Sequence, residues 1–376
     1  MDLPLWVTRE SMSITTIKGV FRTIKGCLPT SRSDPKTDLP IQPNQPSNEK
    51  TTSAYTDSNL HSSHFAIAAA LAKHHNPQPT AHNLSPTKTS IKMTTPTPLT
   101  ARTDPLYQKD GSKHTHTAPI TSIAPLTSLS QEHQSLFKPP PSSSEEKEKE
   151  AFILTTPSTI FHAQGGGQPS DTGTISAGDV KFEVHQVRKV GERGGIWHMG
   201  TYTSPTSTFK PEGGEEGTQE VDVGKRVLHS RIHTAGHILG LAAAALRAEG
   251  VMDKEIVDGK ASHYPGAAFV EFIGLIPSSL KEALQEKTDE LVAADLPVEI
   301  LFWDEERARR ECTGVLEGFS LKGSEEGVRV VSIGEKGSYP CGGTHVRRTG
   351  ECGKVVVRNI KRQKGVSKVG YEVRDA

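Results

Sequence analysis

Two short segments, His233-Thr-Ala-Gly-His237 and Cys341-Gly-Gly-Thr-His345, constrain this chain more than any other feature. Each sets two potential metal ligands four positions apart. The first pair falls in a helical pattern, where side chains at i and i+4 lie one above the other on one face. The second sits in a Gly-rich segment that lets a loop fold back and point both ligands at one ion. Imidazoles combined with a thiolate suit zinc, which takes tetrahedral N/S coordination. A fold that uses both pairs must carry a distant loop onto a helix face.

The chain has 376 residues, but its apolar content is only 34% and it divides sharply. Residues 1–100 hold just two of the 34 glycines, Gly19 and Gly26, and are rich in Ser, Thr, Pro, Asn and His. Such a stretch buries too little apolar surface to offset its chain entropy, so residues 1–103 are expected to be a disordered tail. The formal net charge is zero, so affinity for nucleic acid has to come from local patches. Four cysteines, Cys27, Cys312, Cys341 and Cys352, form no disulfide-like framework. No secretory signal or bilayer-length apolar run is evident, and a reducing, cytoplasmic setting is expected. Between Ser11 and Ser33 there is no acid, while Lys18, Arg22, Lys25 and Arg32 interleave with Ile14, Ile17, Val20, Phe21 and Ile24. That pattern suits a mitochondrial transit peptide as well as a basic tail, and Met93 offers an alternative start.

Order is expected from Asp104. The Ser/Pro-rich stretch at about 109–150, which ends in Pro139–Pro141 and the charge run Glu145–Glu150, reads as a disordered insertion or linker. Ala151–Leu154, Val180–Val190 and Ile196–Met199 have the character of strands separated by glycine turns, giving a small β domain over 104–220. From Asp222 the period changes to helical. Val227, Leu228, Ile232, Ala235, Leu239, Ala242, Ala243 and Leu246 make one apolar face that ends at Gly250. Ser279–Ala294 and Asp304–Glu311 are further helices, and Val328–Ile333, Lys354–Ile360 and Gly370–Val373 are strands around the Cys341 loop. Mixed elements without a βαβ repeat predict an α+β class, with the second domain at 221–376.

His229 shares the helix stripe with His233 and His237 but has no partner pair, which makes it a surface or supporting residue. Position 234 is Thr, where a His-Glu-x-x-His peptidase carries its general base, so a peptidase is a poor reading. Cys341 as a nucleophile fits less well than Cys341 as a ligand. Cys312 and Cys352 read as small apolar residues. Gly165-Gly166-Gly167-Gln168-Pro169 is either a permissive turn or a backbone cradle with Gln168 offering a donor and an acceptor. From His345 to Ala376 nine Lys/Arg, Arg347 and Arg348 among them, face three acids, a reasonable phosphate-backbone footprint.

Thr159-Ile-Phe-His-Ala-Gln-Gly-Gly-Gly-Gln-Pro-Ser-Asp-Thr-Gly173, then His233–His237, then Val328–Ile333 leading into Cys341–Val346, resemble the free-standing alanyl-tRNA editing proteins of the AlaX type. The same motifs occur in the editing domain of alanyl-tRNA synthetase, within the threonyl/alanyl second additional domain family. The resemblance covers roughly residues 104–376. It implies a β-barrel-like domain followed by an α+β editing domain, and a zinc ion held by His233, His237, Cys341 and His345, one per chain. It also implies hydrolysis of mischarged tRNA for alanine, seryl- or glycyl-tRNA. Gly166, Gly167 and Gln168 match the family's pocket segment, with Gln168 the catalytic candidate, and Arg347 and Arg348 are candidate substrate contacts. On this reading Gln168→Ala slows hydrolysis and leaves the metal in place. The family's Tyr-Pro after the first-motif Phe is His162-Ala163 here, and no ATP-binding aminoacylation domain is recognisable. The expected partner is tRNA, with no DNA, membrane or protein partner. The alternatives are an inactive tRNA-binding module with structural zinc and a zinc hydrolase of small esters.

Overall fold

The structure is a computed structural model that describes residues 98–138, 149–204, 206–315, 320–321 and 323–375. The expected tail, its Ser11–Ser33 stretch and Met93 lie outside the described residues. The first half comprises β1 (Asp104–Pro105), β2 (Thr115–Pro119), β3 (Ser122–Pro125), the one-turn helix α1 (Gln131–Gln134), β4 (Phe152–Thr155), β5 (Ser158–Thr159), β6 (Gly173–Ala177), β7 (Val180–Val190), β8 (Gly195–Tyr202) and β9 (Glu216–Val221). Seven of these strands form one sheet in the order β2-β9-β6-β7-β8-β4-β3, while β1 and β5 pair separately in parallel. Among the described residues the hydrogen-bonded order runs from β2 to β3, in a mixed α and β protein with one large curled sheet.

Every residue of β8 is buried, because the strand separates two cores. Alternation sends Ile196 and Tyr202 to a core with Phe161, Phe182, Val184 and Val187. It sends Trp197 and Met199 to a core with Phe137, Ile153 and Val190, against which Leu99, Leu126 and Leu129 pack. The region 109–150, expected as a disordered insertion, therefore differs in its described part. It supplies β2, β3 and α1 and covers the second face of the sheet. Ser and Pro residues made it resemble a linker, but its few large apolar residues are spaced to cap that face. Residues 139–148 lie outside the described residues.

The second half begins with α2 (Val223–Ala248), capped by Asp222, whose side chain accepts from Lys225 N at 3.0 Å. It continues through β10 (Val257–Ser262), β11 (Phe269–Ile273), α3 (Lys281–Ala293), β12 (Val298–Trp303), α4 (Glu305–Glu311), β13 (Val328–Ile333), β14 (Gly337–Pro340), β15 (Lys354–Gln363) and β16 (Val366–Arg374). A four-stranded antiparallel sheet, β10-β11-β16-β15, packs one face against α2 and α3 around Ile238, Leu239, Leu284, Phe272, Val369 and Tyr371. A three-stranded sheet, β12-β13-β14, carries α4 on Trp303, Ala308 and Val330. Among the described residues, no helix is long and apolar enough to cross a membrane.

An ion pair ties α2 to the first half. Arg226 and Asp171 are each 1% exposed, and the guanidinium donates to both Asp171 carboxylate oxygens, to Gly111 O (2.8 Å) and to Ile160 O (2.5 Å). Asp171 Oδ2 also accepts from His162 N at 2.6 Å. Removing one partner of a buried pair strands the other charge, which costs about 3–5 kcal/mol. Arg226→Met and Asp171→Asn are each expected to lower unfolding free energy by about that amount in denaturant titration. A loss below about 1 kcal/mol would show the pair to be dispensable.

Candidate metal centre

Helix α2 sets His233 and His237 on successive turns facing the loop that follows β14. That loop starts from the sheet through Cys341 N, which donates to Arg329 O at 3.1 Å, and the Arg329 guanidinium donates back to Cys341 O. The loop returns across the helix with Gly343 against His233. A Cβ at Gly343 would stand 2.3 Å from His233 Cε1 and 2.7 Å from Gln168 Oε1, so only glycine fits. The result brings together all four residues singled out for a metal. One ligand atom from each of His233, His237, Cys341 and His345 lies within 4.8 Å of the others. Cys341 Sγ is 3.3 Å from His233 Nε2 and 3.3 Å from His345 Nε2. Tetrahedral zinc with ordinary Zn–N and Zn–S bonds spaces its ligand atoms roughly 3.3–3.6 Å apart, so the donor set fits one such ion.

The surrounding bonds orient these donors. Gln168 is fully buried, and its Oε1 accepts from Thr344 N (3.0 Å) and from His233 Nδ1 (2.7 Å). An amide oxygen only accepts, so His233 carries its proton on Nδ1 and presents the Nε2 lone pair to the cluster. His345 Nδ1 meets Thr234 Oγ1 at 3.1 Å, which holds the ring with its Nε2 toward Cys341 Sγ. His237 Nε2 is buried and has no hydrogen-bond partner, which is what a ligand atom looks like before its ion is added. Burial, followed by neighbouring imidazoles, holds His233 and His345 well below the usual histidine range, and burial brings His237 down to about 3. Burial pushes the Cys341 thiol up, against the opposing pull of Arg329. The three imidazoles are thus neutral and ready to bind, while the thiol still holds its proton.

Other expected site residues are placed differently. Gly165–Gln168 is a tight turn, closed by Gln168 N donating to Gly165 O at 2.9 Å, with Gly166 and Gly167 at φ +56° and +78°. Gly166 lines the cavity beside the cluster, but Gln168 does not reach it. Its Nε2 donates to Thr344 Oγ1 at 2.9 Å, so both ends of its amide are engaged in holding His233 and the loop. Arg348 is committed to Asp295, with Nε 2.5 Å from Oδ2, and Arg347 donates to Ser112 Oγ at 2.6 Å on the rim of a separate cleft. His229 is buried with an unpartnered Nδ1 and lies outside the cluster, and His162 is buried with burial lowering it to about 4.

The cavity has a volume of about 510 Å³ and is lined by His233, His237, Cys341, Gly236, His263 and Lys260, among others. His263 was not found from the sequence. Its ring stacks on His233 with centroids 4.0 Å apart, and Nδ1 meets Tyr371 Oη at 2.7 Å, whose hydroxyl donates to Ile232 O at 3.0 Å. That relay puts the His263 proton on Nδ1. The opposite edge lies between Gly236, where a Cβ would meet His263 Cε1 at 2.5 Å, and Gly167, where one would meet Cδ2 at 3.2 Å. No spacing in the sequence marks it, because β10 delivers it from outside either ligand pair.

Three outcomes are expected. His237→Ala and Cys341→Ala lose stoichiometric zinc by elemental analysis. Because only the thiol is protonated, zinc binding near neutral pH releases about one proton, measurable by calorimetry in buffers of different ionisation heat. Release of about four would mean that the imidazoles are charged as well. Gln168→Ala, contrary to the sequence reading, weakens zinc affinity roughly 10–100-fold in a chelator competition, and Gln168→Glu, which keeps the acceptor, restores much of it.

Residues 328–369, which include Cys341 and His345, match the family described as the threonyl and alanyl tRNA synthetase second additional domain. The alanyl-tRNA editing protein AlaX-L of Pyrococcus horikoshii is 29% identical over 230 residues, covering 59% of this chain and 52% of that protein. Alanine–tRNA ligases of Salinispora tropica and Halobacterium salinarum are 31% and 29% identical over 55% and 59% of this chain. The matches span 22% of each ligase, so the chain corresponds to about half of the editing protein and a fifth of the ligases. The chain is thus similar over 59% of its length to an AlaX-type alanyl-tRNA editing protein, and within 328–369 it matches the second additional domain of the threonyl and alanyl tRNA synthetases.

Proposed function

We propose that this chain is a zinc-dependent trans-editing hydrolase that deacylates mischarged tRNA for alanine, with seryl-tRNA as the first substrate and glycyl-tRNA as the second. The observation that carries this reading is the convergence of His233, His237, Cys341 and His345 at the wall of a cavity large enough for an aminoacyl-adenosine end. A zinc ion held there would supply Lewis-acid character toward the ester. The chain's own residues set the geometry. Gln168 and Thr234 fix the ligand imidazoles, Gly236 lets the His263 ring close against α2, and Gly166 leaves its side of the cavity open. His263 presents a hydrogen-bonding edge in a fixed tautomer. The need for such an enzyme is physical, since an alanine pocket cannot strongly reject an analogue that merely adds a hydroxyl, nor exclude glycine by size.

Selecting serine over alanine requires a polar group that rewards the hydroxyl. With Gln168 engaged elsewhere, the polar side chains left to do so line the cavity itself, Lys260, His263 and Thr313 among them. One buried hydrogen bond made in one complex and absent in the other is worth about 1–3 kcal/mol, or roughly ten- to more than a hundredfold in rate. Seryl-tRNA for alanine is therefore expected to be hydrolysed at least about ten times faster than alanyl-tRNA, and His237→Ala to abolish the difference. Equal rates in the wild type would refute proofreading. One observation favours a second reading: the four donors complete a tetrahedral set and leave no open position, as in structural sites. Tight tRNA binding with no deacylation would establish that binding-module alternative.

A further inference from the structure

We infer that the open face of the β10-β11-β16-β15 sheet, together with the tip of the β15–β16 hairpin, is the surface that holds the RNA backbone as it leads to the cavity. The inference rests on the proposed function and adds where the RNA lies. One face of this sheet is covered by α2 and α3, and strand alternation sends the other set of side chains outward. The register places Glu271 opposite Lys368, and Lys368 opposite Lys361. Lys368 Nζ sits 2.9 Å from Glu271 and 4.5 Å from the centre of the Phe269 ring, so these groups share the outer face. Lys260 lies in the irregular stretch of β10 beside Glu271, and both line the cavity that holds the metal cluster. Val366 and Ile273, paired at the end of the sheet, line it too.

Charge on this surface is one-sided. Glu271 is already neutralised by Lys368. Lys260 and Lys361 on the face, and Arg362 and Lys364 at the hairpin tip, are exposed, and among the described residues none has an acidic partner. Lys361 stands directly across from Lys368, whose charge Glu271 already meets, so Lys361 is left with a like-charged neighbour and no counter-charge of its own. Three strand spacings separate Lys361 from β10, about 14 Å, which suits an extended polyanion better than a single phosphate. Phe269, under Lys368, adds a partly exposed ring of the kind on which bases stack. The row ends at the cavity, so a strand lying along it would enter beside His263 and the cluster.

The test uses the full chain loaded with zinc, uncharged tRNA for alanine as the probe, and a series of salt concentrations. The variant combines Lys361→Gln, Arg362→Gln and Lys364→Asn; Asn is chosen because Lys364 has φ +50°, a conformation that Asn tolerates. All three side chains are exposed, and zinc content and circular dichroism report whether the fold is kept. The expected result is tRNA affinity weakened at least about tenfold at low salt, with the slope of log affinity against log salt reduced by about two to three. Unchanged affinity and slope, in a wild type that deacylates seryl-tRNA, would overturn this inference and leave the editing function standing. A wild type that neither binds tRNA nor deacylates it would remove both. Binding of the wild type to anionic vesicles, lost in the variant while tRNA affinity stays the same, would give the face to a membrane surface and overturn the assignment to RNA.

Discussion

The buried amide of Gln168 is the node on which the rest of the site depends. It belongs to a glycine turn of the first half, yet its oxygen holds His233 on α2 and the backbone of Thr344 in the loop, while its nitrogen reaches the Thr344 hydroxyl. Ser230, one turn before Thr234 on the same helix, donates to that hydroxyl as well, at 2.8 Å. Three segments far apart in sequence are therefore fixed relative to one another by one side chain with no exposure to water. In such a setting each bond is electrostatically stronger than at the surface, and each missing bond is correspondingly costly. The Arg226–Asp171 pair does similar work one turn earlier on α2, joining the helix start to the chain just after the turn.

Much of this was legible in the residues. The period of α2, the strand character of β7 and β13, and the paired ligand spacing are local signals, and they depend on alternation or on glycine. What was hidden depends on tertiary contact. The Val257–Ser262 strand is polar, contains Gly259 and is irregular, because it is the edge of its sheet and opens onto the cavity. The hairpin of β15 and β16 runs on past Ile360 and starts before Gly370, since its outer positions carry charge where an apolar pattern would be sought. His263 and Thr234 act through contacts with other ligands or their supports, and no spacing rule announces such partners. The contacts of Gln168 were hidden for the same reason: a glutamine after glycines looks like a ligand-facing group until its neighbours His233 and Thr344 are known.

The two halves of the molecule use burial for different ends. In the first, β8 buries all of its side chains and divides two apolar cores, which makes the sheet a rigid support. In the second, burial is spent on imidazoles, a thiol and hydroxyls, with glycines where another side chain would collide with them. Gly343 and Gly236 mark the places where the backbone approaches a histidine ring most closely. Packing there serves access and orientation more than cohesion.

The ligand pairs also have a topological consequence. His233 and Cys341 are 108 positions apart, and their donors meet at 3.3 Å. An ion bound to both acts as a removable cross-link that closes most of the second half into a single large ring, β10 and α3 included. The ligands converge only through the folded helix and loop, so an ion bound there would stabilise the folded second half by mass action. Supply of the metal would then govern how long the second half survives between openings, and the seven-stranded sheet, which contributes no ligand atom, would feel it only through the contacts of Gln168 and Asp171.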